Sequence, residues 1–419
     1  MWIRGGKIVA AGSAVSIPAG TQTIDATGYS VTPGFVGTHN HLYYVSGGPL
    51  FIMREMPYSF PRLYLGAGVT TIRTAGSVEP QTDLRVKDAI ERGALVGPHM
   101  DVTSPYLTGY EPFFIQMGTL RSPQDARETV KFWADRGVTS FKLYTSLLRS
   151  IARAVIASAH ARHLKVIAHL CSIGLTDAAN MGVDSLEHGL LIDTEFTPGK
   201  TEDECPSDSV AVRKSLAAAD LHGPKVHALV SAMLRHHVAL SSTLAVFEGA
   251  NPPPMETEQR IFDLEDAVSK ADVMRVRTQV LARPQAAQDL WKTLFAKEQA
   301  FEVQFFRAGG LLTEGPDPTG YGASFPGFGD QRNMELLVQA GLTPVEAIEV
   351  ATLNGAKSLG RAASIGSIAT GKNADLVLIK GDPSKDIGDI ERVEIVFKDG
   401  IGYDAKKLLD SVRGIAGRQ

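Results

Sequence analysis

Cysteine is nearly missing from this chain: its 419 residues carry two, Cys171 and Cys205, with no CxxC pair and at most one bridge between them. That excludes a disulfide-built scaffold and a cysteine-rich zinc module, and such sparse usage fits a reducing, cytoplasmic setting. No apolar run reaches about 18 residues, which excludes an ordinary membrane-spanning helix. Neither charge dominates: 42 Lys and Arg against 46 Asp and Glu leave a net −4, so no basic field invites nucleic acid. A charged-then-apolar leader is absent too, although "MWIRGGKIVAAG" starts abruptly on a strand-like hairpin, as a chain with a removed or trimmed leader would. The expected partner is a small molecule or peptide, with no nucleic acid and no membrane, and homo-oligomerisation is left open.

What is present is a rhythm of short β-branched runs, each followed by an amphipathic stretch with a Gly or Pro stop. Strand candidates are Val31–His39, Val69–Thr74, Met100–Ser104, Val138–Tyr144, Lys165–His169, Val183–Glu187, Val238–Thr243 and Gly310–Glu314. "RSPQDARETVKFWADRG" shows the helix grammar between them, with Ser122 as N-cap, Pro123 at the first helical position and Gly137 as the stop. Eight alternating units predict an α/β fold, a (β/α)8 TIM barrel with its chemistry at the C-terminal strand ends. The two termini are instead short β runs broken by Gly, Asp and Pro, and neither buries a core alone. They predict a small β-sandwich domain built from both termini, residues 1–31 and 364–419, around a barrel at 32–363. Segments 191–221 and 247–308 break the rhythm after strand ends, where each either covers the site or is a plain surface insertion.

The chemistry begins at "TPGFVGTHNHLYY". In an extended run His39 and His41 project to one side, and two neutral imidazoles on one point suit a metal ion. An isolated HxH is more often two polar residues at a strand end. Other strand ends, however, supply Lys142 in "GVTSFKLYTS", His169 in "LKVIAHLCS", His188 in "GVDSLEHG" and Asp317 after "GGLLTEGP". Singly, these have plainer explanations: a snorkelling lysine, satisfied interior histidines, a turn aspartate. Their recurrence at one end of five strands favours one metal site. An ammonium has no lone pair for a metal, but a buried lysine beside two dications would lose its proton. The free amine can then take up CO2, and carboxylated Lys142 would offer two oxygens to two metals.

These motifs, with the tail "GLTPVEAIEVATLNGAKSLG" and "IGSIATGKNADLVLIKGDP", resemble the amidohydrolase superfamily along nearly the whole chain. The branch most similar contains imidazolonepropionase-like proteins and metal-dependent Xaa-Pro or Xaa-Arg dipeptidases. The resemblance implies two divalent ions, usually Zn2+, with His39, His41 and Asp317 on the more buried ion, His169 and His188 on the other, and carboxylated Lys142 between them. The chain departs from the family pattern at Gly37, where an aspartate is common, and at Pro316, where a threonine is usual.

The expected function is metal-dependent hydrolysis of an amide or peptide C–N bond in a dipeptide or N-acyl amino acid. A metal-bridging hydroxide would attack, and Asp317 would carry the proton to the leaving nitrogen. Candidates for holding substrate are Tyr144, which should project with Lys142, Tyr44 beside Tyr43 in the loop after HxH, Arg73 as a carboxylate fork, and Tyr106. Cys171 reads as a buried structural cysteine rather than a nucleophile, because His169 is taken by the metal. Other outcomes are an ester, lactone or organophosphate hydrolase on the same site, a mononuclear deaminase, against which Lys142 argues, and a non-catalytic scaffold, which would not need all six ligands.

Overall fold

Parallel strands buried on both faces must be apolar along their length, and helices must cover them. The computed structural model, which describes residues 1–13, 15–46, 52–110, 112–253, 255–319 and 324–418, realises this as a barrel. Its strands are β1 (Phe35–Asn40), β2 (Val69–Thr74), β3 (Thr103–Thr108), β4 (Ser140–Thr145), β5 (Lys165–Leu170), β6 (Ser185–Glu187), β7 (Ala239–Ser242) and β8 (Leu312–Glu314). Strands β3 to β8 form one continuous parallel sheet in sequence order. A second sheet joins β1, β2 and a short strand His99–Asp101, which runs through Val102 directly into β3. The helix Pro123–Ala134 starts as its sequence predicts: Ser122 Oγ accepts from the Asp125 N–H at 3.1 Å and Pro123 follows.

The barrel closes between β8 and β1 through side chains and turns. Thr38 Oγ1 lies 2.8 Å from Thr313 Oγ1 and 2.9 Å from Ser241 Oγ, and it donates to the Glu314 carbonyl at 3.0 Å. The Asp317 N–H donates to the His39 carbonyl at 3.0 Å. Gly315 makes this approach feasible, since a Cβ there would sit 2.3 Å from the His39 nitrogen.

The expected strand Val31–His39 proves to be two. Tyr29–Pro33 pairs antiparallel with Leu376–Lys380, whereas β1 turns into the barrel. Gly34 sits at the break, because a Cβ would lie 2.1 Å from Thr70 Oγ1. Val393–Lys398 and Ile401–Asp404 complete a four-stranded antiparallel sheet. The hairpin of Trp2–Arg4 and Lys7–Ala10 joins it through Ile8 N to Lys372 O (2.9 Å) and through packing of Ile8 on Ala374 and Leu376. Both chain ends thus build one small β unit.

Of the two segments that break the rhythm, only the second is mostly helical. Residues 191–221 contain Ser209–Ala218, and residues 247–308 contain Met255–Phe262, Ala267–Leu281 and the long Gln285–Arg307. The last of these carries two carboxyl groups into the interior. Glu298 Oε2 accepts from the Leu191 N–H at 2.8 Å, and Glu302 Oε2 from Ser242 Oγ at 2.7 Å. Burial pushes the Glu302 carboxyl up to about 8 and raises Glu298 as well.

This sets the sign of a stability profile. Unfolded, Glu302 loses its proton near the ordinary 4.5; folded, it holds the proton to about 8. Across that window the folded state binds more protons, so raising the pH removes stability, on the order of 1 kcal/mol per pH unit for each such group. The melting temperature is expected to fall between pH ~5 and ~8, with a shallower slope in Glu302→Gln. Equal slopes in thermal melts of the two proteins would reject the buried-proton account.

Candidate metal centre

Three of the four imidazoles of the cluster are turned by a hydrogen bond to a second ring nitrogen. His41 Nδ1 lies 3.0 Å from the Gly76 carbonyl, which can only accept, so the proton sits on Nδ1. His39 Nδ1 donates to Glu187 Oε2 at 2.5 Å, and His188 Nδ1 is 2.8 Å from Thr243 Oγ1. With Nδ1 donating to Glu187, His39 turns Nε2 inward as an acceptor, 3.5 Å from Asp317 Oδ1; His41 Nε2 lies 3.0 Å from the same oxygen and 3.4 Å from the Tyr106 hydroxyl. A ligating histidine characteristically donates its second N–H to such a carboxylate or carbonyl, which leaves the other nitrogen for an ion.

Electrostatics act on the same cluster. Burial, then the charge of Lys142, holds the His39 imidazole well below its usual range. Burial and the neighbouring histidine do the same for His169 and His188. Burial alone would raise the Asp317 carboxyl, but His39, His41 and Lys142 outweigh it and leave Asp317 at about 2. Ligand atoms of His39, His188 and Asp317 lie within 4.8 Å of one another, a span that one ion about 2 Å from each would bridge. The His169 and His188 rings are 4.5 Å apart, so His169 adjoins the same group. His188 and Asp317 both adopt left-handed backbone (φ 70° and 49°), a strain that non-glycine residues carry mainly at functional sites.

Lys142 lies on β4, beside Ile167 of β5 and Tyr106 of β3. It is 1% exposed, and its Nζ has no hydrogen-bond partner among the described residues. Burial lowers its pKa to about 8 despite the opposing pull of Glu187 and Asp317. An orphaned amine with an accessible neutral form, beside a cluster of imidazoles and a carboxylate, fits a group that supplies positive charge to the cluster and engages the nitrogen. The donor set fits divalent metal.

The structure thus brings His39, His41, Lys142, His169, His188 and Asp317 together. Its cavity of about 420 Å3 also carries Tyr106 and Tyr144 on its wall. Tyr144 stacks near His169, with ring centres 4.8 Å apart, and Tyr106 hydrogen-bonds Tyr43 through their hydroxyls at 2.6 Å. Two substrate candidates are corrected. Strand alternation along Tyr43–Ser46 puts Tyr43 on the cavity and Tyr44 on the opposite face, where it donates to Glu265 Oε1 and packs on Phe60 and Phe325. Arg73 lies beneath the site, 1% exposed, with Nε donating to the Thr38 carbonyl (2.8 Å) and Nη2 to Glu187 Oε1 (3.0 Å). It is not among the residues that line the cavity.

Sequence reasoning missed Glu187, Thr243 and the Gly76 carbonyl, the three groups that orient the histidines. Glu187 left a trace as the acid directly before His188 at the end of a strand. The family's aspartate position, Gly37, has no room for one: a Cβ there would lie 2.2 Å from Asn40 Oδ1, and Asn40 itself donates to Asp330 Oδ1. Cys171 is half-buried and disulfide-bonded to Cys205 rather than a lone buried thiol. That pairing removes the basis for reading cysteine usage as evidence of a reducing compartment. Among the described residues, no helix is long and apolar enough to cross a membrane.

Comparison with known proteins gives local sequence matches and a nearly complete structural one. The family described as the Amidohydrolase family matches residues 315–401. The chain is 44% identical over 65 residues to an imidazolonepropionase of Parabacteroides distasonis, covering 15% of this chain and 16% of that protein. It is 43% identical over 72 residues to a deacetylase of Agrobacterium fabrum, covering 17% and 16%. The chain therefore spans about a sixth of the length of these curated relatives. A Xaa-Pro dipeptidase crystallised with bound methionine superposes with a TM-score of 0.70 over 96% of this chain and 94% of that one, at 21% identity. A bottromycin amidohydrolase superposes at 0.69 over 97% and 84%, at 18% identity. At these identities the superpositions establish the fold.

The geometry makes Glu187 a positioning residue. In Glu187→Gln an amide must face the donors of His39, Arg73 and Ser185, so one of them meets a donor. Metal affinity, read by competition with a chromogenic chelator, is expected to fall about 10- to 100-fold. Unchanged affinity would sink the role.

Proposed function

We propose that this chain, a member of the amidohydrolase superfamily, hydrolyses the C–N bond of a dipeptide or an N-acyl amino acid at a pair of divalent ions, zinc by donor chemistry. The observation that carries this reading is the convergence of His39 Nε2 and His41 Nε2 on one Asp317 oxygen beside the partnerless Lys142 amine. His39, His41 and Asp317 would hold one ion, His169 and His188 the other. Lys142 would join them after its neutral amine adds CO2, forming an N–C bond and releasing one proton. Bound there, the ions supply Lewis acidity and a water that ionises near neutral pH.

The chain's own groups do the rest. Asp317, held at about 2, is ionised at any working pH and can accept a proton from the attacking water at a carboxylate oxygen. Its position at the rim of the cluster lets it return that proton to the leaving nitrogen, which departs as a neutral amine. Tyr144 is kept protonated by burial and by Asp317, so its hydroxyl remains a donor for the substrate carbonyl. Tyr106 and Tyr43 share one hydroxyl–hydroxyl bond, and the Tyr106 hydroxyl also lies 3.4 Å from His41 Nε2.

The direct test is to rank kcat/KM of the zinc-loaded protein on dipeptides, N-acyl amino acids, lactones and aryl esters. Amides should lead; a protein that turns over only esters or lactones would replace this reading with the ester-hydrolase one. Asp317→Asn should lower kcat by about 100-fold or more while retaining most of its metal, since the amide still presents an oxygen ligand. An active Asp317→Asn protein would remove the proton-carrier role. Wild-type protein equilibrated with 13C-bicarbonate should show a carbamate carbon resonance that is absent from Lys142→Ala, with loss of bound metal in the variant. The same spectrum from both proteins would exclude carboxylation at Lys142.

A further inference from the structure

The cavity has a second wall that the metal chemistry does not use. It comes from the helices Ala267–Leu281 and Gln285–Arg307, and it is apolar where Val276, Val280 and Trp291 face the opening. One residue breaks that character. Arg283, in the turn between the two helices, lines the same cavity as His39, His169, His188 and Asp317. Its Nη1 is buried and has no hydrogen-bond partner among the described residues. The backbone that carries it is fixed on both sides: the Arg283 N–H donates to the Val280 carbonyl, Pro284 follows, and Gln288 Nε2 donates to the Arg283 carbonyl at 2.8 Å.

A guanidinium nitrogen removed from water and left unpaired is unfavourable, and natural structures satisfy such groups with a ligand or an anion. Arg283 is also, with Lys142, one of two cationic side chains on the described cavity wall. We propose that Arg283 is the carboxylate anchor of this site, and that the substrate is an N-acyl amino acid or dipeptide with a free carboxylate and an apolar side chain. The proposal rests on the amide-hydrolase reading above and narrows it. A planar fork matches one carboxylate by two parallel N–H···O bonds. A single guanidinium on an apolar wall suits a monoanion; a phosphate dianion would call for further donors, and Val276, Val280 and Trp291 offer no second charge. The hydrophobic residues around Arg283 would take the side chain next to that carboxylate. The fork sought at Arg73 is therefore supplied by Arg283, from outside the barrel.

Two measurements test this on the zinc-loaded full chain. The first compares kcat/KM for N-acetyl-L-phenylalanine and its C-terminal carboxamide in wild type, Arg283→Lys and Arg283→Met. Wild type should prefer the acid about 100-fold. Arg283→Met should bring the ratio near one, mainly through a higher KM for the acid, and Arg283→Lys should fall between. The second, calorimetric titration with 3-phenylpropionate and 3-phenylpropionamide, needs no turnover. Wild type should bind the acid more tightly, and Arg283→Met should bind the two alike. An acid preference in binding without hydrolysis of any amide would keep the anchor and overturn the amide-hydrolase reading. Amide hydrolysis with no acid preference, or a preference untouched in Arg283→Met, would overturn the anchor. Melting temperature and metal content of both variants should match wild type, which separates loss of binding from loss of fold.

Discussion

Everything at the barrel mouth depends on one buried carboxylate, that of Glu187. It takes the Nδ1 proton of His39 from β1, the Nη2 proton of Arg73 from β2 and the hydroxyl of Ser185 from its own β6. The paired strands β1 and β2 are thereby tied through a single side chain to β6, which belongs to the other sheet. A carboxylate in such a place is tolerable because Arg73 compensates its charge and all its partners are donors. The consequence at the site is directional: His39 can present only its other nitrogen to the cavity.

That direction decides which nitrogen meets Asp317. Asp317 reaches the cluster from a left-handed turn whose N–H is anchored on the His39 carbonyl, and Gly315 lets the two segments meet. The bond that closes the barrel also sets the aspartate against two imidazole Nε2 atoms. Folding and assembly of the cluster are therefore the same event here.

The residues of the cluster were legible in the sequence because strand ends are local features. An HxH at period two, a lysine inside an apolar run and a histidine closing "IAHL" each carry their own signal, and eight repeats supply the common geometry. The rest was illegible for reasons that are equally physical. Whether Tyr43 or Tyr44 faces the cavity depends on which face of a short hairpin meets the core, and alternation alone does not give its phase. Arg73 at a strand end looks the same whether it turns to solvent or to a carboxylate more than a hundred residues away. Gly34 separates two strands because of a threonine on a neighbouring strand, and no windowed reading of residues 31 to 39 contains that threonine. Arg283 lies in a helical segment with no catalytic signature; only the shape of the enclosed space reveals it.

The helical segment that carries Arg283, Val280 and Trp291 belongs to neither the strand–helix repeat nor the terminal β unit. None of its residues touches the hydrogen bonds that orient the imidazoles. Selection can therefore rewrite this ceiling, lengthening a helix or exchanging an arginine, while the strand-end residues of the floor stay as they are. A lineage built this way can change its diet without relearning its chemistry.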